Sequence, residues 1–148
     1  MIKLNFPVTS LSLKKKNSNT YVFDSLRKKY VILTPEEWVR QHLVNYLIKD
    51  LDYPKGLIIT ESFLKYNNLN KRSDVLVLDR ELNPFMVVEC KSFKIKLNRN
   101  HIDQSSTYNK IYKSKFMMIT NGLNHIVYEF NWKENSFIVK KSIPKYEG

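Results

Sequence analysis

Three charged residues stand at the ends of two apolar segments and form the strongest chemical signal in the sequence. Asp74 opens the first segment, whereas Glu89 and Lys91 close the second. Charged side chains are rarely buried without a partner, so their presence at the ends of interior strands needs an explanation. Residues two apart in a strand share a face, which predicts that Glu89 and Lys91 project together while Cys90 points the opposite way, into the packing.

A metal ion would explain the two acidic residues. A hairpin through the turn-forming stretch Arg80–Pro84 would bring the carboxylates of Asp74 and Glu89 together at one end of a sheet. Two like charges held close are costly unless a cation lies between them. Mg²⁺, with Mn²⁺ as a plausible substitute, is the hard divalent cation that suits such oxygen ligands. The sequence therefore predicts a divalent-metal site.

The two apolar segments have the composition of central strands. Residues 74–79 and 85–91 are nearly continuous apolar runs bounded by turn signals. A strand with one solvated face would instead alternate between apolar and polar residues. We therefore predict two strands that are buried on both faces.

The clearest helix start in the chain precedes these strands. Thr34 is the expected N-cap, a proline follows at the first helical position, and Glu37 completes a T-x-x-E capping box. The helix should extend to about Asp50. Glu36 and Arg40 lie near its apolar face, while Glu37 is expected to be occupied by the cap.

The remaining elements predict an α/β fold in which helices flank a mixed β-sheet. Residues 1–33 hold three short β-type runs that indicate an N-terminal hairpin or flap. Residues 99–114 lack Gly and Pro and show loosely helical spacing. We predict further strands at 57–66, 116–120, 125–130 and 137–140, with turns at 67–71 and 121–122. We expect one domain over residues 1–148, divided into N-terminal strands (1–33), a core (34–130) and a terminal strand and tail (131–148).

Composition narrows the class of partner. The 148-residue chain carries 25 Lys and Arg against 14 Asp and Glu, a formal charge of +11. Each basic cluster, such as Lys110, Lys113 and Lys115, could be a solvated face, but together the clusters favour nucleic acid. The chain has one cysteine, and it shows neither a signal-peptide pattern nor an apolar stretch long enough to cross a bilayer. These features predict a cytoplasmic protein without a membrane partner.

The ordered set of motifs resembles a known nuclease superfamily. Asp74, Glu89 and Lys91 fit the D-x(n)-E-x-K signature of the PD-(D/E)xK nucleases, and Ser73 stands where the name of that signature puts Pro. Four stretches, T-P-E-E-W-V-R-Q, K-R-S-D-V-L-V-L-D, V-V-E-C-K and M-I-T-N-G, look like small single-domain proteins related to the N-terminal nuclease domain of type I restriction enzyme R subunits. This resemblance covers about residues 1–145 and implies a restriction-endonuclease-like fold.

The resemblance also implies a role for each matched residue. Asp74 and Glu89 would ligate the metal, with the backbone carbonyl of Cys90 as a candidate further ligand. Lys91 would orient or help deprotonate the attacking water and stabilise charge that builds on the phosphorus. The implied reaction is metal-assisted hydrolysis of DNA phosphodiester bonds.

Further site residues are implied on the two helices. Glu36 most resembles the additional metal-side carboxylate of the superfamily, and Glu37 is its rival. Gln104 and Tyr108 form a Q-x-x-x-Y motif on the second helix, where they share a face and could reach the attacking water or the phosphate. For Tyr108, core packing is an equal alternative.

Other classes of function receive less support. The alternative to a nuclease is a nucleic-acid-binding module that keeps the nuclease fold without turnover, and a third hypothesis is a subunit that binds an acidic protein. The three histidines lack the spacing of metal ligands. Cys90 has no close His partner that would make it a nucleophile. The sequence also lacks a P-loop motif, which would indicate a motor. The resemblance further implies a homodimer or a component of a restriction or defence complex.

Overall fold

The structure, a computed structural model, describes residues 1–66 and 69–148, and the side chains of residues 61–73 and of Tyr108 lie outside this description. Within these ranges it contains a three-stranded sheet, a six-stranded sheet and two α-helices. The strands are β1 (Leu13–Lys16), β2 (Asn19–Asp24), β3 (Lys29–Ile32), β4 (Ile58–Tyr66), β5 (Leu69–Leu78), β6 (Pro84–Cys90), β7 (Phe116–Thr120), β8 (His125–Asn131) and β9 (Ser136–Lys140), and the helices are α1 (Pro35–Asp50) and α2 (Arg99–Tyr112).

The six-stranded sheet has the order β4-β5-β6-β7-β8-β9. Its central strands β6 and β7 run parallel, and the other neighbouring pairs run antiparallel. A parallel pair needs a long crossover, which α2 supplies between β6 and β7. The predicted mixed sheet with flanking helices is therefore confirmed.

The N-terminal strands form a sheet of their own. β1, β2 and β3 pair antiparallel in sequence order, as the predicted N-terminal hairpin or flap requires. The turn from β1 to β2 places Asn17 and Ser18 in the left-handed region, at φ 51° and 68°. In the middle strand Val22 and Asp24 are buried, so this small sheet has an interior side.

The capped helix α1 starts and ends where the sequence predicts. Thr34 is the N-cap, and its hydroxyl accepts a hydrogen bond from the backbone N–H of Glu37 at 3.0 Å. The expectation that the Glu37 side chain serves the cap is wrong. Its carboxylate contacts Arg27 and Arg40, because two guanidinium groups compensate a buried charge better than one backbone N–H does.

The main core lies between α1 and one face of the large sheet. Val39, Leu43 and Leu47 on α1 are fully buried and belong to the same cluster as Val75 and Val88 of the central strands. Their neighbours Leu76 and Val87, which point to the other face, are buried as well. The prediction that β5 and β6 are buried on both faces is confirmed, and β7 is buried along its whole length.

Several element bounds differ from the prediction. β5 begins already at Leu69, so the turn predicted over residues 67–71 is too long, and residues 67 and 68 lie outside the described ranges. α2 ends at Tyr112, because Lys113 adopts a left-handed conformation with φ 51° that stops the helix. No helix in the described part of the chain is long and apolar enough to cross a membrane.

Candidate functional site

The adjacent ends of β5 and β6 carry the candidate site. Val75 and Val88 are directly paired, so Asp74 and Glu89 follow on neighbouring strands at the same end of the sheet. The Cys90 backbone N–H donates to Oδ2 of Asp74 at 2.7 Å and ties the two strand ends together. The antiparallel β5–β6 arrangement predicted from the sequence is therefore confirmed, and it puts both acidic residues in one place.

Glu89 and Lys91 form an ion pair on the α2 side of this strand end. The Lys91 Nζ lies 2.7 Å from Oε1 of Glu89, and both side chains are about one quarter exposed. Cys90 between them is buried, as the strand alternation predicts. Burial alone would lower the pKa of Lys91, but its hydrogen bond to Glu89 and the nearby negative charges raise it. Lys91 is therefore held as a cation.

Ser105 of α2 also binds Glu89, and the sequence analysis did not identify it. Its hydroxyl donates to Oε2 of Glu89, so the two oxygens of this carboxylate have different partners, Lys91 and Ser105. Ser105 is buried and lies on the side of α2 that faces the sheet, as does Asn109 one turn later. These contacts fix the orientation of the Glu89 carboxylate.

Arg40 links the acidic side chains on the α1 side of the site. Its guanidinium lies 3.0 Å from Glu36, 2.9 Å from Glu37 and 3.3 Å from Oδ1 of Asp74, and the residue is buried. Burial alone would lower the pKa of Arg40, but the surrounding negative charges, that of Glu37 first among them, raise it. The sequence predicts Arg40 near the apolar face of α1 and contains no signal that assigns it to the site.

Glu36 and Glu37, the two alternatives for the helix carboxylate, differ in their exposure to solvent. Glu36 is 45% exposed and contacts Arg40 through one oxygen, whereas Glu37 is 8% exposed and is held by both Arg27 and Arg40. Glu36 therefore has an open side toward solvent. Glu37 belongs to a buried ion-pair network.

Asp74 has the most perturbed carboxyl group of the candidate site. Burial raises its pKa, the charge of Arg40 and the Cys90 N–H lower it, and the nearby carboxylates of Glu36 and Glu89 raise it, to a net value of about 6. Such shifts cluster at functional sites but also occur in structural ion pairs. The influence of Glu36 and Glu89 shows that negative charge converges on Asp74.

The donor groups suit a hard cation, although they do not enclose one. Among the described residues, no group of three His, Cys, Asp or Glu side chains is arranged to hold a metal ion. Mg²⁺ commonly uses only one or two carboxylates, together with water and substrate oxygens. Asp74 and Glu89 supply two carboxylates at one strand end, and each of their oxygens has lone pairs beyond its present hydrogen bond.

The structure leaves the second-helix motif as a prediction. Gln104 is exposed on α2, and its neighbour Ser105, not Gln104, contacts Glu89. The side chain of Tyr108 lies outside the described residues. The thiol of Cys90 is buried and its pKa is raised by burial, which agrees with its expected lack of nucleophilic character.

Comparison with known proteins identifies a family and a similar solved structure. A family model described as "Type I restriction enzyme R protein N terminus" matches residues 35–144. The fragment structure of a putative HsdR subunit of a type I restriction enzyme from Vibrio vulnificus YJ016 is similar, with a TM-score of 0.53 and 20% identity. The match covers 76% of this chain and 24% of that one, so this chain spans about a quarter of its length. No curated protein matches the chain at a significant level.

Proposed function

This chain belongs to the Type I restriction enzyme R protein N-terminus family, and we propose that it is a Mg²⁺-dependent nuclease that hydrolyses DNA phosphodiester bonds. The observation that carries the proposal is the junction of Asp74, Glu89 and Lys91 at the paired ends of β5 and β6. This arrangement resembles the one that the PD-(D/E)xK signature implies, in which two carboxylates and a lysine act on one phosphodiester, and it supports the proposal.

The metal would be held by Asp74 and Glu89, with the Cys90 carbonyl as a further oxygen. Glu36 is the helix carboxylate free enough to assist, because it is nearly half exposed. When bound, such an ion stabilises the negative charge of the reacting phosphate and activates the nucleophile. Mn²⁺ should replace Mg²⁺, since both prefer oxygen ligands.

The residues of the chain supply the remaining functions. Lys91 is held as a cation by Glu89, so it can stabilise charge on the phosphoryl oxygens and orient the attacking water. Ser105 keeps the Glu89 carboxylate oriented through its other oxygen. We propose Gln104, which is exposed on the same helix, and Tyr108 as additional contacts to the water or the phosphate.

Metal removal tests the proposal directly. Supercoiled plasmid and single-stranded DNA are incubated with the protein and Mg²⁺ or Mn²⁺, and products are followed on gels. Cleavage should occur with either metal, stop on addition of EDTA and return when excess Mg²⁺ is restored. The control is the same protein with Ca²⁺, which binds oxygen ligands with a looser geometry and should support far less cleavage. Cleavage that continues in EDTA would contradict the proposal.

A second candidate function is nucleic-acid binding without turnover. It is favoured by Arg40 and Lys91, whose positive charges pair directly with the carboxylates of Asp74 and Glu89. This alternative predicts DNA retention that weakens steeply with salt, and no metal-dependent loss of DNA. The plasmid experiment therefore distinguishes the two functions.

Metal binding should depend on the protonation of Asp74. Its pKa of about 6 means that Asp74 is an anion at pH 7.5 and is mostly neutral at pH 5. A neutral carboxyl group is a poor ligand, so we expect the Mn²⁺ affinity, measured by calorimetry, to fall about tenfold for each pH unit below 6. In Asp74→Asn this dependence should disappear along with most of the affinity. An unchanged affinity between pH 7.5 and pH 5 would contradict the role of Asp74.

The family indicates a restriction-related setting. We propose that the chain acts on DNA in the cytoplasm, as a homodimer or within a larger restriction or defence complex. Support comes from the family description and from the formal charge of +11, which suits a polyanionic substrate. Analytical ultracentrifugation of the purified chain, alone and with DNA, distinguishes a monomer from a dimer.

A further inference from the structure

A cluster of aromatic side chains lies on β8 and β9, at the edge of the large sheet away from β4. Phe130 pairs with Phe137 in the β8–β9 register, and their rings lie 5.8 Å apart. Trp132 stacks on Phe130 with ring centroids 4.9 Å apart and planes within 8°, and Tyr128 meets Phe137 at 5.3 Å. The four rings, which we call the aromatic cluster, form one continuous apolar surface.

This surface is held in place but is not covered in the described structure. The Trp132 indole N–H donates to the backbone carbonyl of Ser114 at 2.9 Å, which fixes its ring. Phe137 is 59% exposed, so a large part of this residue remains accessible to solvent. A rigid aromatic face toward water costs free energy, and in soluble proteins exposed apolar patches commonly mark binding sites.

One face of α2 forms the opposite wall of a groove beside the aromatic cluster. The groove has a volume of about 560 Å³, within the range of ligand sites, and this wall carries Ser106 and Lys110 of α2 and Lys113, which directly follows the helix. Both lysine side chains are exposed. Among the described residues that line this groove none is acidic, so aromatic rings face positive charges across it.

We propose that this groove binds single-stranded nucleic acid, with a base stacked on Phe137 and the backbone phosphates near Lys110 and Lys113. Aromatic rings combined with a basic groove are the features that recognise unpaired bases without sequence preference. A second protein chain would pair less well with the positive wall, whereas phosphates complement it. The inference deepens the proposed nuclease function and rests on DNA being the ligand.

The groove borders the candidate active site through α2. Ser105 contacts Glu89 on the sheet side of this helix, and the next residue, Ser106, lines the groove. A strand held in the groove would therefore lie along the helix that supports the carboxylates. This position suits a site that keeps one unpaired strand close to the scissile phosphate.

Binding without cleavage tests the groove separately from the nuclease. The fluorescence anisotropy of a labelled oligothymidylate is titrated with the full chain in EDTA. Phe137→Ala should weaken binding at least about fivefold, and Phe137→Tyr should restore it, because loss of one stacked base is a large effect. Lys110→Ala should lower the slope of log affinity against log salt by about 0.7.

Ile138→Ala is the matched control for the aromatic variant. Ile138 is as exposed as its neighbour, at 57%, but it pairs with Glu129 on the other face of β9. The Ile138→Ala variant should bind oligothymidylate like the wild type. The loss of affinity caused by Phe137→Ala should be much smaller for duplex DNA of the same length. Equal binding by Phe137→Ala and Ile138→Ala would overturn the proposal.

Three further outcomes separate the groove from the nuclease and from self-association. Self-association of the wild type that Phe137→Ala abolishes, without any effect on DNA binding, would overturn the proposal in favour of a contact between two copies. Failure of cleavage together with weaker binding by Phe137→Ala would support the groove and reject the nuclease. Cleavage together with equal DNA binding by Phe137→Ala and Ile138→Ala would support the nuclease and reject the groove.

Discussion

Replacing Asp74 with asparagine should lower metal-dependent DNA cleavage by about 10³-fold, since a catalytic metal contributes several kcal/mol to transition-state stabilisation. Asparagine has the same shape, and its carbonyl oxygen can still accept the hydrogen bond from the Cys90 N–H. The substitution removes the negative charge that the metal needs. Initial rates of plasmid nicking at saturating Mg²⁺ measure the effect.

Lys91→Ala should lower the same rate by a similar amount through a different cause. It removes the cation that we propose to act on the phosphate but leaves Asp74 and Glu89 in place, so Mn²⁺ affinity should change little. Calorimetry with Mn²⁺ therefore separates the two variants. Glu81→Gln is the control, because Glu81 is an exposed acid on the turn between β5 and β6. Activity within about twofold of wild type in Asp74→Asn or Lys91→Ala would contradict their catalytic roles.

The parts of the fold predicted most accurately are those fixed by local rules. Thr34 and the proline after it determine the start of α1, and the helix begins there. The continuous apolar run that Asp74 opens and the one that Glu89 closes could form stable strands only in the interior of a sheet, which is where they lie. The same alternation rule placed Glu89 and Lys91 on one side and Cys90 on the other.

The contacts that complete the site depend on tertiary structure and have no comparable local signal. Arg40 is one helical turn from Glu36, so that pair could be foreseen, but its contact with Asp74 joins residues 34 positions apart. Ser105 meets Glu89 only because the rotation of α2 turns Ser105 toward the sheet. A difference of one residue, between Gln104 and Ser105, corresponds to about 100° around the helix and decides which side chain reaches the site.

The chain termini were also harder to predict than the central elements. Leu4 and Phe6 precede the first strand and show no periodic pattern, yet both are buried in the main core. Phe6 stacks on His125, whose ring also bonds the Asn5 carbonyl and Thr120. Short apolar segments gain their structure from the surface they cover, so sequence periodicity cannot identify them.

The overall positive charge of this chain and the local cluster of acidic residues at the candidate site have different effects. The excess of +11 favours approach of a polyanion, whereas the candidate site brings Glu36 of α1 close to Asp74 and Glu89 at one end of the sheet. The guanidinium of Arg40 reduces the repulsion between these acidic side chains, because it forms ion pairs with Glu36 and Asp74 at the same time. Its removal should therefore affect stability strongly.

Arg40→Met should lower the free energy of unfolding at pH 8 by about 3 kcal/mol. The variant keeps most of the buried side-chain volume but leaves Asp74 and the buried Glu37 without a shared cation, and breaking buried pairs costs about 3 to 5 kcal/mol. The lower end applies because Glu37 keeps its contact with Arg27 at 2.8 Å. Urea unfolding followed by circular dichroism measures the change.

The pH dependence of this loss identifies its cause. Without Arg40 the pKa of Asp74 should rise further above its unfolded value, so protonation favours the folded state and the deficit should shrink between pH 8 and pH 5. The loss should also be smaller when Arg40→Met is made in the Asp74→Asn background. Lys49→Met, at an exposed position on the same helix, should cost no more than about 0.5 kcal/mol. An Arg40→Met deficit that is independent of pH and of Asp74 would show that Arg40 acts through packing, not through its charge.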